Sequence, residues 1–256
     1  MSEINRDLTS GPERLFGLIG FPLIQSFSKK YFDKKFEREG LTNCRFQNFP
    51  IPSIDSFLPD VINANTALQG IAVTIPYKRQ VLSFLDDRTN IPAELDACNC
   101  IRVRNGKLEG HNTDAKGFEE SLKPLLSPAH RKAIILGSGG AAQAIRYSLN
   151  NLQIENVTVS RTASEDLLTY SDLDQGMMMD HKLIINTTPA GMFPDVEGYP
   201  DIPYHLLTSE HLLYDVVYNP VVTEFMKRGL KMGSCAVNGE EMLAIQAEEN
   251  WRIWNS

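Results

Sequence analysis

Ala133-Ile134-Ile135-Leu136-Gly137-Ser138-Gly139-Gly140-Ala141-Ala142 sets a short apolar run against Gly-x-Gly-x-x-Ala. The run Ala133 to Leu136 reads as a buried strand, and Gly140 to Leu149 carries helical spacing. A strand entering a helix through this turn suits a pyrophosphate. Gly137 permits the tight turn, Gly139 lets the backbone approach the ligand, and small Ala142 lets the helix pack closely. The N–H groups of Ser138, Gly140 and Ala141 lie at the helix mouth, where donors lack intrahelical partners. A glycine-rich turn without ligand is the competing reading, and the flanking strand and helix weigh against it. Dinucleotide units that prefer NAD place a carboxylate about 20 residues on. Here that place reads Val159-Ser160-Arg161-Thr162. Arg161 suits a 2′-phosphate instead, which points to NADP; the bland alternative is an arginine in a solvated loop.

Working outward, strand and helix patterns alternate in both directions. Downstream follow strands Val157 to Ser160, Leu183 to Asn186, Leu212 to Val216 and Met232 to Ala236, with a helix over Val222 to Arg228. That alternation predicts a mostly parallel sheet covered on both faces. Upstream, strands Leu15 to Ile19, Arg45 to Phe49 and Gly70 to Thr74 surround a helix from Ser28 to Glu39. Asn105-Gly106 joins Asn99 to Arg104 with Lys107 to Glu109 as a tight hairpin. The N-terminal part therefore reads as a mixed sheet with helices. A helix over Ala115 to Leu126 places a domain boundary near Asp114. The last segment, Gly239 to Trp254, is amphipathic through Met242, Leu243, Gln246, Ala247 and Trp251, and its spacing suits a return to the first domain.

Composition narrows the function classes. The 256 residues hold 25 Lys+Arg against 32 Asp+Glu, a net charge of −7, which argues against a broad nucleic-acid surface. Cys44, Cys98, Cys100 and Cys235 form no Cys-x-x-Cys pair, so reduced thiols are expected, with neither a zinc knuckle nor a disulfide framework. The five histidines show no metal-ligand spacing. Met1 to Glu13 mixes both charge signs without an apolar core, so no secretory signal is expected; no apolar run is long enough to cross a bilayer, and a cytoplasmic protein follows.

Four further segments carry polar residues at strand ends. Val73-Thr74-Ile75-Pro76-Tyr77-Lys78 puts an ammonium after a strand stopped by proline. Gly110-His111-Asn112-Thr113-Asp114 ends in a carboxylate at a helix cap, and capping alone would explain it. Asn186 to Met192 and Asp215 to Pro220 each follow a strand, and each reads equally as a turn. With Gly20-Phe21-Pro22, Ser26-Phe27-Ser28, Asn99, the glycine loop, Arg161-Thr162, Asn238-Gly239, Met242-Leu243 and Gln246-Ala247, these segments closely resemble the shikimate dehydrogenase family from Gly17 to about Ala247.

The resemblance implies an α/β fold: an N-terminal mixed α/β substrate domain (1–113 and 239–256) and a Rossmann-like, doubly wound NADP-binding domain (114–238), the C-terminal helix returning to the substrate domain. It implies reversible, NADP-linked reduction of 3-dehydroshikimate to shikimate on the way to chorismate and the aromatic amino acids. Lys78 and Asp114 would form the catalytic pair. Ser26 and Ser28 would bind the substrate carboxylate, Tyr218 would close that end, and Thr74, Asn99, Asp114 and Gln246 would surround the ring hydroxyls. The cofactor would lie against Gly137, Ser138, Gly139, Gly140, Ala141, Ala142, Ser160, Arg161, Thr162, Thr187, Met192, Val216 and Gly239. No metal, nucleic acid or membrane is implied; the partner is a small molecule and the protein a monomer or homodimer.

Several positions depart from the family pattern. Gln25, Lys29 and Ala115 stand where histidine, proline and glycine are usual, and none of these removes a catalytic group. Ala72 replaces an asparagine that reaches the substrate, Cys100 replaces threonine, and Glu165 lies where a second cation commonly assists Arg161. Two other readings therefore stay open: a paralogue acting on quinate or another polyhydroxy ring acid, and a non-catalytic ligand sensor on the same fold.

Overall fold

A computed structural model describes residues 11–23, 26–162, 164 and 166–256. Gln25 and Glu165 lie outside the described residues, as does most of the N-terminal stretch read above for a leader. The chain divides into two units, one of residues 1–113 with 247–256 and one of residues 114–246.

The first unit is built on β1 (Arg14–Gly20), α1 (Phe27–Arg38), β2 (Cys44–Pro50), β3 (Leu68–Val73), β4 (Asp87–Asn90), β5 (Cys100–Arg104) and β6 (Lys107–His111). Its six strands run in the order β2-β1-β3-β5-β6-β4. The first three are mutually parallel, β5 is antiparallel to both its neighbours, and β4 runs parallel to β6, so the sheet is mixed. Asn105 and Gly106 both take positive φ, at 52° and 75°, the conformation a two-residue hairpin turn demands. Side chains alternate along β3. Ile71 and Val73 enter a core with Phe57, Val81 and Ile101, while Ala72 enters one with Phe16, Phe32, Phe46, Trp251 and Trp254. In that second core the Phe32 and Phe46 rings stack at 4.9 Å.

The second unit contains α2 (Asp114–Leu122), β7 (Lys132–Leu136), α3 (Gly140–Asn151), β8 (Glu155–Ser160), β9 (Leu168–Thr169), α4 (Gln175–Asp180), β10 (Leu183–Asn186), β11 (Leu212–Asp215), α5 (Glu224–Lys231), β12 (Cys235–Val237) and the start of α6 up to Gln246, the helix as a whole being Glu240–Trp254. All pairings are parallel, in the order β12-β11-β10-β7-β8-β9. Central β7 is buried on both faces. Ala133 and Ile135 enter a core with Phe118 and Leu149, and Ile134 and Leu136 enter one with Met178 and Phe225. This is why its sequence is a continuous apolar run without alternation.

Two elements differ from the sequence reading. The division between units falls inside α6, between Gln246 and Ala247, where the sequence placed it at Gly239. Met242 explains the difference, because it packs with Phe118 and Tyr214 of the second unit, whereas Ala247, Trp251 and Trp254 pack with Phe16 and Phe32 of the first. The strand expected over Met232 to Ala236 begins only at Cys235, because α5 continues to Lys231 and turns through Gly233 at φ +86°.

Candidate active site

In the first unit, several of the expected site residues lie about the C-terminal end of β3. The backbone there is tied to its neighbours: Thr74 N–H donates to Ile19 O (3.0 Å) and Val73 N–H to Asn99 O (2.8 Å). Tyr77 anchors the following loop. Its ring is buried at 2% exposure and its hydroxyl donates to Ile51 O at 2.5 Å. The next residue, half-buried Lys78, accepts at its carbonyl from Cys98 N–H (2.8 Å), one residue before Asn99. Thr74, Lys78 and Asn99 are thus gathered by backbone bonds between the end of β3 and the segment leading into β5. Ser26 caps α1, its oxygen accepting from Lys29 N–H (3.1 Å), which leaves the hydroxyl hydrogen to donate elsewhere. Half-buried Ser28 follows in the first turn.

Asn99 is fully buried. Its Oδ1 accepts from Thr113 N–H (2.7 Å), its Nδ2 donates to Thr113 Oγ1 (3.0 Å), and the same hydroxyl reaches Asn250 Oδ1 (2.7 Å). The residue after Thr113 is Asp114, which opens α2 and the second unit and is 7% exposed. Helix α2 lies close to α6: a Cβ on Gly117 would sit 2.7 Å from Met242 O and 3.2 Å from Gln246 Cβ. Half-buried Gln246 therefore lies beside the helix that Asp114 opens, and Tyr218 follows β11, also half-buried.

In the second unit's sheet the strand order reverses between β7 and β10, and the crevice at such a point, beyond the carboxyl ends of the strands, is where ligands bind in open α/β sheets. Gly137 follows β7 with φ +105°, a conformation that side chains rarely adopt, and a Cβ there would press on Thr187 Oγ1 at 2.7 Å. Thr187 follows β10, and its hydroxyl donates to Leu136 O (2.7 Å), tying the two loops together. Gly139 and Gly140 are exposed, with no atom within 4 Å of a Cβ placed on either, and no side chain caps α3. The open approach and the uncapped donors fit a dinucleotide phosphate. Ser138 is exposed beside them, with Ala141 half-buried and Ala142 packed inward. Arg161 and Thr162 are exposed just past half-buried Ser160 at the end of β8, and Arg161 enters no ion pair among the described residues. Val216 and Gly239 are pressed together so that no Cβ fits on Gly239, and Met192 is 44% exposed.

A buried polar node underlies these loops. Asp215 Oδ1 accepts from Val217 N–H and Asn186 Nδ2 (3.0 Å each), and its Oδ2 accepts from the Thr223 hydroxyl (2.6 Å). Burial pushes the Asp215 carboxyl up to about 6, against the pull of those three donors. Among the described residues no group of three His, Cys, Asp or Glu is placed to hold a metal ion, and no described helix is long and apolar enough to cross a membrane.

Comparison with known proteins decides the family. A family model for the shikimate dehydrogenase substrate binding domain matches residues 18–101. A shikimate dehydrogenase (NADP(+)) of Desulforamulus reducens is 32% identical, covering 96% of this chain and 91% of its own. The protein of the same name from Ignicoccus hospitalis is 34% identical over 94% of this chain and 92% of its own. The chain belongs to the shikimate dehydrogenase family. Among solved structures, the Thermus thermophilus shikimate 5-dehydrogenase in complex with NADP(H) and shikimate superposes with a TM-score of 0.83 at 27% identity, over 94% of this chain and 93% of that one.

One residue of this shikimate dehydrogenase family member escaped the sequence reading. Asn250 looks like one more polar residue on an amphipathic helix, yet it is 1% exposed and bonds Thr113. Its spacing of four from both Gln246 and Trp254 was the available signal. Ala72, singled out in the sequence as a departure from the family pattern, is 2% exposed within an apolar cluster.

Proposed function

We propose that this chain catalyses the reversible NADP-dependent reduction of 3-dehydroshikimate to shikimate, a cytoplasmic step toward chorismate and the aromatic amino acids. One observation carries the reading: NADP-dependent shikimate dehydrogenases match this chain end to end, and the position of each expected catalytic group holds the right chemistry.

The Gly137 to Ala142 loop and Arg161 would hold NADP, which when bound would supply or accept the hydride. The chain's own groups manage charge and position. As the ring ketone is reduced its oxygen gains negative charge, and the Lys78 ammonium stabilises that charge and delivers the proton from Nζ. The rigid mounting between Tyr77 and the Cys98 bond suits this task, since a fixed donor needs no reorganisation in the transition state. Asp114 holds the ammonium in place and accepts from a neighbouring ring hydroxyl. Ser26, with its hydroxyl hydrogen left to donate, binds the substrate carboxylate with Ser28, and Tyr218 closes that end. Thr74, Asn99 and Gln246 bond the remaining hydroxyls. In the oxidative direction Lys78, as the neutral amine, takes the proton back.

Shikimate and quinate, each offered with NADP and with NAD, test the assignment by the absorbance of the reduced nicotinamide. Fastest turnover with shikimate and NADP is expected. Faster turnover with quinate would establish a quinate dehydrogenase, and no turnover with any pair would establish a binding protein.

A further inference from the structure

Asn99, Thr113 and Asn250 form a buried polar node in the first unit, exposed by 0%, 1% and 1% respectively. Its hydrogen-bond directions can be assigned one at a time. The Thr113 backbone N–H can only donate, and it points at Asn99 Oδ1 (2.7 Å), so the Asn99 amide has one orientation. Asn99 Nδ2 then donates to Thr113 Oγ1 (3.0 Å). That oxygen carries a single hydrogen, with two acceptors in reach: Asn250 Oδ1 at 2.7 Å and Asn99 Oδ1 at 3.3 Å. The shorter bond takes it.

Without Asn250 the hydroxyl has only the longer contact, to an oxygen already engaged by the Thr113 N–H. Asn99 Nδ2 then faces a hydroxyl that has lost its short acceptor, and the amide, still oriented by the Thr113 N–H, is held less tightly. Asn250 is itself held firmly. It lies one turn before Trp254, whose indole N–H donates to Ile101 O (3.1 Å) and whose ring stacks on Phe16 at 5.2 Å.

We propose that Asn250 is a positioning residue, which through the Thr113 hydroxyl steadies the Asn99 amide in the place from which it meets a hydroxyl of the substrate ring. The proposal rests on the shikimate reading for the substrate alone; the node itself is independent of it. Asn250 bears on shikimate binding and not on hydride transfer or the cofactor, because its side-chain bond among the described residues is the one accepted from Thr113, which leads to Asn99.

Asn250→Leu keeps the branched heavy-atom shape and removes the acceptor; Asn250→Asp keeps an accepting oxygen. Asn250→Leu is expected to raise KM for shikimate about tenfold, the scale of one neutral hydrogen bond, with kcat within about threefold and KM for NADP unchanged. Asn250→Asp should return the shikimate KM most of the way. Thr113→Val, which removes the linking hydroxyl, should match Asn250→Leu, and the double variant should be no worse than either single one. In labelled protein, the Asn99 side-chain amide hydrogens should shift and exchange faster in Asn250→Leu and in Thr113→Val. Unchanged Asn99 amide signals in a folded variant would overturn the proposal, as would equal losses against shikimate and NADP. If Asn250→Leu does not fold, Thr113→Val decides by the same readouts. Should the unmodified enzyme show no turnover of shikimate, the functional reading fails, and the amide signals alone decide whether Asn250 positions Asn99.

Discussion

Ala72 lies directly opposite Cys100 across the antiparallel pairing of β3 and β5. The two positions where this chain puts an apolar or weakly polar residue in place of the family's asparagine and threonine are therefore cross-strand neighbours. Both are buried among Leu18, Phe32 and Ala247. Cross-strand pairs act as units, and these two have lost polarity together.

That pairing changes what restoring asparagine should do. Ala72→Asn alone buries an amide in an apolar cluster, at a cost of about 1–3 kcal/mol for the unmatched group, with overpacking added. A lowered melting temperature with no improvement in the shikimate KM is expected. Adding Cys100→Thr supplies a hydroxyl partner and should recover at least half of the lost stability. Thermal unfolding of the single and double variants checks this; full additivity of the two changes would show that the positions are not coupled.

Acid sensitivity of the second unit follows from two matching turns. Ser127 N–H donates to His130 Nδ1 and Thr208 N–H to His211 Nδ1, each at 3.0 Å, so each ring is neutral with its hydrogen on Nε2. Those hydrogens are donated to Glu210 O and Met178 O. Burial holds both histidines below their ordinary value of 6.5. A depressed folded pKa means that the unfolded chain takes up more protons, so this stability is present above about pH 6.5 and is lost as pH falls through the folded values. Asp215, raised to about 6, acts with the opposite sign, its contribution being present at low pH and lost as pH rises through that value. The difference between the parent and a His130→Gln, His211→Gln variant isolates the histidines. Denaturant unfolding from about pH 7.5 to about pH 5.5 should give the parent the greater loss on acidification. Parallel curves would show that the turns do not couple to protons.

Arg161 should set the cofactor preference. It is exposed beyond β8 and enters no ion pair among the described residues, so a 2′-phosphate would meet no internal competitor. Removing one charge-assisted contact costs roughly 1.5–3 kcal/mol, about 10- to 150-fold in affinity. Arg161→Ala should raise KM for NADP by that order and leave KM for NAD nearly unchanged. Equal NADP affinity before and after the change would place the 2′-phosphate elsewhere.

The sequence exposed those features that leave a periodic or positional mark. Ala133 to Leu136 was legible because a strand buried on both faces has no polar alternation, and the hairpin because Asn105-Gly106 accepts positive φ. Strand β4 was not legible: Asp87-Arg88-Thr89-Asn90 is polar throughout and lies at the sheet edge, so no apolar rhythm marks it. Helix α4, six residues long, is too short for a helical period, although Asp174 caps it by accepting from Met177 N–H (2.8 Å). At the expected site, Thr74 and Asn99 were named through the family resemblance, and Lys78 stood out as an ammonium after a strand stopped by proline. Asn250 did not, because burial of an amide on a helix depends on what the helix covers.

Lys78→Ala, compared with the parent enzyme for kcat in NADP-linked shikimate oxidation, tests the account most directly. The side chain projects from a loop held by Tyr77 and by the Cys98 bond, so the variant should fold with an unchanged melting temperature and still bind shikimate. Its kcat should fall by at least about 100-fold, the scale of general acid–base catalysis. A folded Lys78→Ala enzyme with near-normal turnover would contradict the account.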